Sequence, residues 1–483
     1  MKILTRQFDK YDLFITIGVA IYIIFFSYLS LFNLSILQMG QDLAIFNQSF
    51  WTTLHGGGFL ENTFEGVSHF GYHFSPILFF LFPFYMLIPG PEILLIFQSI
   101  FLGLGAIPFY LCGRELLNKK AGFVVGIIYL LYPAVHGINL FAFHELAFLP
   151  FFLGIALWGF ITGRKNLCFI FCILSLLIKE DVTLIIGMIG VIGVWKGRTL
   201  RMRENWQHII LLILSIVIFV VYLFIIKPSF GLADSSDSSL EIIQYTNPLE
   251  NLASNNDLRF SFLIQLFTPL LLTPLASPEI LLICIPSFIE IFFATPGKFI
   301  YYNIFSHYPA LVIPIVFVSM IVTLRKIKEN SREKIRKAFF PFLILILLSS
   351  VITTALWSPV ISQIIVLNYN YSPQFCDDVD KLEVIADCIP PSASVSTQWQ
   401  LLTLMSQRYS IWEGYHPNAD VILLYPYYNG ANIFSNYKKE IVSNYDQVDI
   451  GKSFYLFIRK GHYELKDDIK DKLNNAGIAI NSS

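Results

Sequence analysis

The sequence predicts an α-helical polytopic membrane protein: a bundle of roughly eleven spans followed by a small extracytoplasmic α/β domain. Three observations lead there. Of 483 residues, 55% are hydrophobic and only 14% are charged, a balance that soluble domains rarely reach. The apolar residues gather in long runs, several of them near the ~20 residues a helix needs to cross hydrocarbon. From Trp357 onward the runs become too short to span and the polarity mixes. The formal net charge of −1 lacks the basic excess that nucleic-acid binding requires, so the expected surroundings are membrane lipid, with no nucleic acid. The abundance of aromatics, 16%, fits Trp and Tyr at membrane interfaces.

Positive-inside counting orders the spans. Lys2, Arg6 and Lys10 place the N-terminus in the cytoplasm, and Leu13–Leu31 reads as an uncleaved first helix crossing outward. Asn33–Ser75 is then a polar, Gly-rich external loop. Pro76–Cys112 returns inside, because Arg114, Lys119 and Lys120 follow; Pro83, Pro89 and Pro91 break it into a half-helix and a full span. Ala121–Val135 leads out and Leu146–Ile161 back, leaving His144 and Glu145 outside. Arg164, Lys165, Lys196 and Arg198 are basic at both ends of one apolar stretch, which therefore reads as a hairpin: Leu167–Ile178 out, Val182–Trp195 back. His208–Ile226 crosses outward to the Ser/Asp-rich loop Ser229–Asp257. Phe260–Leu272 and Glu279–Phe293 form a second hairpin, and Thr295–His307 is external. Tyr308–Leu324 returns to the basic stretch Arg325–Lys337, and Phe339–Trp357 crosses out for the last time.

Residues 1–357 thus form the bundle, with external loop 33–75, and residues 358–483 a soluble domain on the outside. In that domain Lys381–Cys388, Trp399–Ser406 and Tyr437–Tyr445 have helical spacing, while Ser394–Ser396, Val421–Tyr425 and Phe454–Ile458 read as strands. Four cysteines, Cys112, Cys168, Cys172 and Cys284, lie in or beside apolar runs as small core residues. Cys376 and Cys388 would sit ~18 Å apart on one helix, too far for a disulfide.

The membrane-embedded charges point to a site. Lys179-Glu180-Asp181 falls at the hairpin tip, where ionisable groups are expensive and normally face a polar cavity. The counting puts Asp42, His69, His73, His144 and Glu145 on the same side of the membrane. Carboxylates and imidazoles together suit general-base work, metal binding or phosphate capture. Lys179 would bind an anionic phosphate while Glu180 or Asp181 orients an acceptor or a cation; the bland alternative is an internal ion pair joining two helices. Asp42 opens a segment of amphipathic spacing that could lie flat on the membrane, where it would cap the helix. His69 and His73 are four apart, the spacing that suits two metal ligands on one helix face, yet Gly66, Gly71 and Pro76 disfavour a helix there. A divalent-cation cofactor is left open, with Asp42, His69 and His73 as candidate ligands. His144-Glu145 begins a zinc-protease motif, but Phe148 occupies the second histidine's place. Lys298, Tyr301, Tyr302, His307 and Tyr308 add a cation, aromatics and hydroxyls that could stack on a sugar or grip a phosphate.

Asp42 with Phe46 and Gln48, His73-Phe74-Ser75-Pro76, Phe143-His144-Glu145, Lys179-Glu180-Asp181 and Pro390-Pro391-Ser392-Ala393-Ser394-Val395 together resemble a prokaryotic membrane-protein family, the domain of unknown function 2079. That family is grouped with the GT-C glycosyltransferases, and the resemblance covers about residues 13–460. It implies a GT-C-like bundle that transfers a sugar from a polyprenyl-phosphate donor at the outer face of the cell membrane. Asp42 matches the acidic residue in the first external loop and would be the general base. Glu180 and Asp181 join it as catalytic candidates, and Lys179, His73, His144, Glu145, Gln48, Tyr302 and His307 as substrate-binding candidates. The second acidic residue that many GT-C enzymes carry is missing beside Asp42. A transporter or flippase for lipid-linked or small anionic solutes is the rival reading, against which stands the lack of a two-half repeat.

Overall fold

The computed structural model describes residues 8–196, 202–230, 251, 254–294, 299–369, 372–451 and 453–480. Lys2, Arg6, Arg198, Lys298 and most of the loop Ser229–Asp257 lie outside them. The chain divides into two compact units, each discontinuous in sequence. The first holds residues up to Ser30, His73–Phe80 and Leu95–Gln363; the second holds Leu31–Tyr72, Leu81–Leu94 and Ile364–Ser483.

The first unit is helical. It holds most of each long apolar helix, α1 (Lys10–Ser35), α3 (Pro91–Leu116), α9 (Asn205–Ser229) and α13 (Phe339–Trp357), whereas α2 (Gln41–Leu54), which follows α1 in the chain, belongs to the second unit. By length and apolar content these four can each cross a bilayer, and α4 (Lys119–Leu130) with α5 (Pro133–Leu140) makes a fifth if the pair counts as one span. The α4–α5 axis bends by 43°, because Pro133 has no N–H for the preceding turn; the expected single crossing Ala121–Val135 is therefore broken. The helices α6 (Glu145–Ile161), α7 (Lys165–Leu176) and α8 (Val182–Lys196) are apolar but shorter. The remaining helices of the unit used below are α10 (Asn256–Phe267), α11 (Ile285–Phe293) and α12 (Ile313–Lys328). As the prolines suggest, the stretch after Pro76 is a run of short turns before α3 begins at Pro91.

Lipid offers no hydrophobic gain for helix against helix, so packing relies on small residues and interior hydrogen bonds. Both are present. A Cβ on Gly122 of α4 would lie 2.5 Å from the backbone N of Arg114 on α3; only glycine permits that approach. Asn139 of α5 is fully buried and gathers α1 and α3 around itself: its Nδ2 donates to Ser99 Oγ at 2.9 Å and its Oδ1 accepts from Tyr22 at 3.3 Å. Where α1 begins, Arg114 donates to both oxygens of the buried Asp12 at 3.2 Å and to Asp9 at 2.8 Å. Although partial burial works against it, the Lys119 and Arg114 hydrogen bonds hold the Asp9 carboxyl well below the usual carboxylate range.

The second unit contains a five-stranded sheet: β1 (Val395–Thr397), β2 (Ile411–Glu413), β3 (Val421–Leu424), β4 (Tyr445–Val448) and β5 (Tyr455–Arg459), in the order β2-β1-β3-β5-β4. The pairs β1–β2 and β1–β3 are parallel, whereas β3–β5 and β5–β4 are antiparallel. Its core joins Phe375, Val379, Leu382 and Ile385 of one helix (Pro373–Cys388) to Val395, Leu423 and Leu456 of the sheet and to Ile469 and Leu473 of a second (Tyr463–Asn475). Ile36, Leu37 and Ala44, from around the start of α2, belong to this same core. The six cysteines are free, with Cys376 exposed and Cys388 buried, on the one helix expected to keep them apart.

Two local expectations change. The helix expected at Trp399–Ser406 is a single turn, Trp399–Leu401, followed by turns in which the Thr403 hydroxyl donates to the carbonyls of Met39 and Gly40. The segment α2 does not present one apolar face: Leu43, Phe46, Asn47, Gln48, Ser49, Phe50 and Thr52 are all buried within the unit. Its amides are met there, Asn47 Nδ2 by Ser406 Oγ at 2.7 Å and Gln48 Nε2 by Arg408 O at 3.0 Å.

Gly122→Ala is expected to force α3 and α4 apart and to cost about 1–3 kcal/mol, read as a lower thermal midpoint in detergent; an unchanged midpoint would remove the close approach as a constraint.

Candidate active site

The turn between α7 and α8 carries Lys179-Glu180-Asp181. It is built by i→i+3 bonds, Val182 N to Lys179 O at 3.1 Å and Thr183 N to Glu180 O at 3.0 Å, and Thr183 Oγ1 adds a further bond to Glu180 O. An apolar run interrupted by three charged residues cannot continue as helix without burying them unmet, so the chain turns. Lys179 and Glu180 are each only 3% exposed, deep enough that each needs a partner. Glu180 has two: His73 Nδ1 at 2.7 Å on one oxygen and the Phe74 N–H at 2.8 Å on the other. A backbone bond from Ile77 N to Leu177 O, 2.7 Å long, ties the His73–Phe80 segment to the same turn. Lys179 Nζ lies 3.3 Å from Asp181 Oδ2 and 5.7 Å from the Tyr308 ring centroid, a cation–π approach.

A second wall comes from the start of α6 and the turn before α12. Gln98 of α3 accepts from the His144 N–H at 2.9 Å and donates from Nε2 to the carbonyls of Ile138, Asn139 and Phe141. Those bonds hold His144 in extended backbone just before α6, whose first turn buries Glu145. A carboxylate there is favoured by the helix dipole. The His144 and His307 rings stack, with centroids 3.6 Å apart and planes at 25°. Tyr308 follows His307 at 4.3 Å, and Tyr301 stacks on Tyr308 at 4.1 Å.

The first unit therefore gathers His73, His144, Glu145, Lys179, Glu180, Asp181 and His307. Tyr302 is turned elsewhere, its hydroxyl accepting from Asn255 at 3.2 Å and its ring under Arg259 at 5.2 Å. Asp42, Gln48 and His69 belong to the second unit. Asp42 stands half-buried in the first turn of α2, and the cap position there is Gly40, not Asp42. The Gln48 amide bonds Thr63 on both faces, Oε1 accepting from its N–H at 2.9 Å and Nε2 donating to its Oγ1 at 2.8 Å. His69 meets Glu65 at 2.9 Å and His73 meets Glu180, so the two imidazoles engage different carboxylates. Among the described residues, no three His, Cys, Asp or Glu side chains stand close enough to hold a metal ion. Three contributors escaped the sequence reading. Gln98 and Glu290, which acts electrostatically on Lys179, each carried one signal, a polar or ionisable residue within an apolar run; Phe141 carried none.

The fold is similar to that of a solved membrane protein at low sequence identity. ArnT from Cupriavidus metallidurans in the apo state superposes with a TM-score of 0.52 at 9% identity, over 90% of this chain and 97% of that one. The same protein bound to undecaprenyl phosphate gives 0.49 at 10% identity, over 91% and 98%. The Archaeoglobus fulgidus oligosaccharyltransferase AglB, in complex with an inhibitory peptide and a dolichol-phosphate, gives 0.46 at 12% identity, over 92% and 74%. The chain belongs to the family described as "Predicted membrane protein (DUF2079)", which matches residues 34–447. No curated protein matches the chain in sequence.

Gln98→Leu is expected to orphan the His144 N–H and to take a donor from three carbonyls, of which only that of Asn139 keeps Ser30 Oγ, costing about 1–3 kcal/mol. Thermal unfolding in detergent measures it, and a midpoint equal to wild type would deny Gln98 its positioning role.

Proposed function

We propose that this chain is an integral-membrane glycosyltransferase that moves a sugar from a polyprenyl-phosphate donor to an acceptor at the extracytoplasmic face. The observation that carries the reading is Lys179: an ammonium held 3% exposed beside stacked imidazoles, in a fold similar to that of apo ArnT. ArnT has also been solved bound to undecaprenyl phosphate, and the same headgroup chemistry suits a buried lysine with imidazole donors.

In the proposed reaction the acceptor hydroxyl attacks the anomeric carbon. The new C–O bond forms as the bond from that carbon to the phosphate oxygen breaks, and the lipid phosphate leaves with the electron pair. Lys179 stabilises the charge gathering on the leaving phosphate, a preorganised electrostatic role. Asp42 takes the acceptor's proton; this role comes from its matching position in the family pattern. Glu180, held on both oxygens by His73 and the Phe74 N–H, fixes the turn that presents Lys179. Asp181, half-buried beside the ammonium, orients it or the acceptor.

Asp42→Asn should reduce sugar transfer by about 10²–10⁴-fold without changing membrane insertion, measured with radiolabelled polyprenyl-phosphate sugar; normal transfer would end the base assignment. Lys179→Met should lower turnover by about 10²–10³-fold. Turnover matching wild type would place the phosphate elsewhere.

A further inference from the structure

The charges around Lys179 are unbalanced for the headgroup just assigned to it. Asp181, Glu180, Glu145 and Glu290 all act electrostatically on that ammonium, and a phosphate monoester adds about −1.5 to −2 more charge. Such a ligand would approach four carboxyl groups set against one ammonium, and like charges in a low-dielectric site repel unless something neutralises them. The groups able to do so are imidazoles.

We propose that the stacked His144–His307 pair takes up one proton from solvent when the lipid phosphate monoester, the leaving group of the proposed transfer, occupies the site, so that the site binds the dianion and a proton together. This deepens the reading of Lys179 as the headgroup's partner and rests on it. His307 is 5% exposed, and its Nδ1 is buried with no hydrogen-bond partner among the described residues. A buried ring nitrogen without a partner is a costly arrangement to keep; protonated, the same nitrogen donates to an anionic oxygen. The stack fixes the stoichiometry. Two imidazolium rings with centroids 3.6 Å apart would repel strongly, so the pair holds one proton, not two.

The titratable and charged groups around the pair and its neighbour Lys179 are His73 from the segment before Pro76, Glu145 with its Oε2 3.8 Å from His144 Nδ1, the turn residues Glu180 and Asp181, Glu290 of α11, and the Tyr301 and Tyr308 phenols. Burial, and after it His144, Lys179 and His73, hold the His307 imidazole well below its ordinary value. It is therefore neutral near pH 7 in the free protein. A group neutral when free and protonated when occupied strengthens binding as pH falls toward its occupied value.

The test is calorimetric titration of the purified full-length protein in detergent with farnesyl phosphate. It is run at about pH 7.5, where the monoester is mostly dianionic, in two buffers of different ionisation enthalpy. The difference in heat counts the protons taken up. About one proton per headgroup is expected in the wild type, falling to near zero when both rings are removed together in the double variant His144→Gln/His307→Gln. Binding without proton uptake overturns this inference and leaves the Lys179 assignment standing; so does full uptake persisting in the double variant. No binding of farnesyl phosphate at all overturns the headgroup assignment and this inference with it. The wild-type count is decisive alone if a variant does not fold.

Discussion

The cost of burying one ammonium organises the first unit. Lys179 interrupts a stretch that would otherwise run as continuous apolar helix, and its 3% exposure removes water as a partner. A lone charge in that position would be lost to neutralisation or to unfolding. The neighbours answer this constraint in layers. Asp181 sits closest, at 3.3 Å. The carboxylate of Glu180 turns away to His73 and the Phe74 N–H, and the Tyr308 ring lies across the ammonium. Each layer recruits a different part of the chain, so the turn, the segment before Pro76 and the approach to α12 meet at one place.

Much of this was legible in the residues and some was not, for physical reasons. Basic residues at both ends of Arg164–Arg198 implied a turned-back pair of short helices, and α7 and α8 are that pair. The strands at Val421–Leu424 and Tyr455–Arg459 stood out as apolar runs bounded by polar residues. By contrast, Ile411–Glu413 is three residues long with a single apolar side chain fully inside, too brief for a period-2 pattern. The residues Tyr445–Val448 pair with β5 although the helical spacing before them extends to Tyr445.

The site divides in the same way. Local motifs named His73, His144, Lys179 and Glu180, because each sits beside a proline, an aromatic or a break in an apolar run. What no local pattern could state is that His144 meets His307 face to face, since that pairing is made by the packing of α6 and α12. Tyr302 is placed differently: adjacent to Tyr301 in sequence, its ring lies under Arg259, because neighbouring residues of one tight turn face different ways. The amphipathic spacing of α2 misled for a related reason. Its polar positions satisfy Ser406 and the Arg408 carbonyl, so the pattern marks an interior hydrogen-bonded seam.

That seam has a consequence for biosynthesis. Asn47 Nδ2 finds Ser406 Oγ across 359 residues of chain, and Gln48 finds the Arg408 carbonyl across 360. A ribosome delivers α2 long before it delivers either acceptor. Until the last quarter of the polypeptide emerges, those two amides have only solvent or other transient partners, and Leu43, Phe46 and Phe50 have no finished interior to enter. The second unit can close only at the end of translation, and a chain cut near Gln363 would strand α2 without the core it was made for.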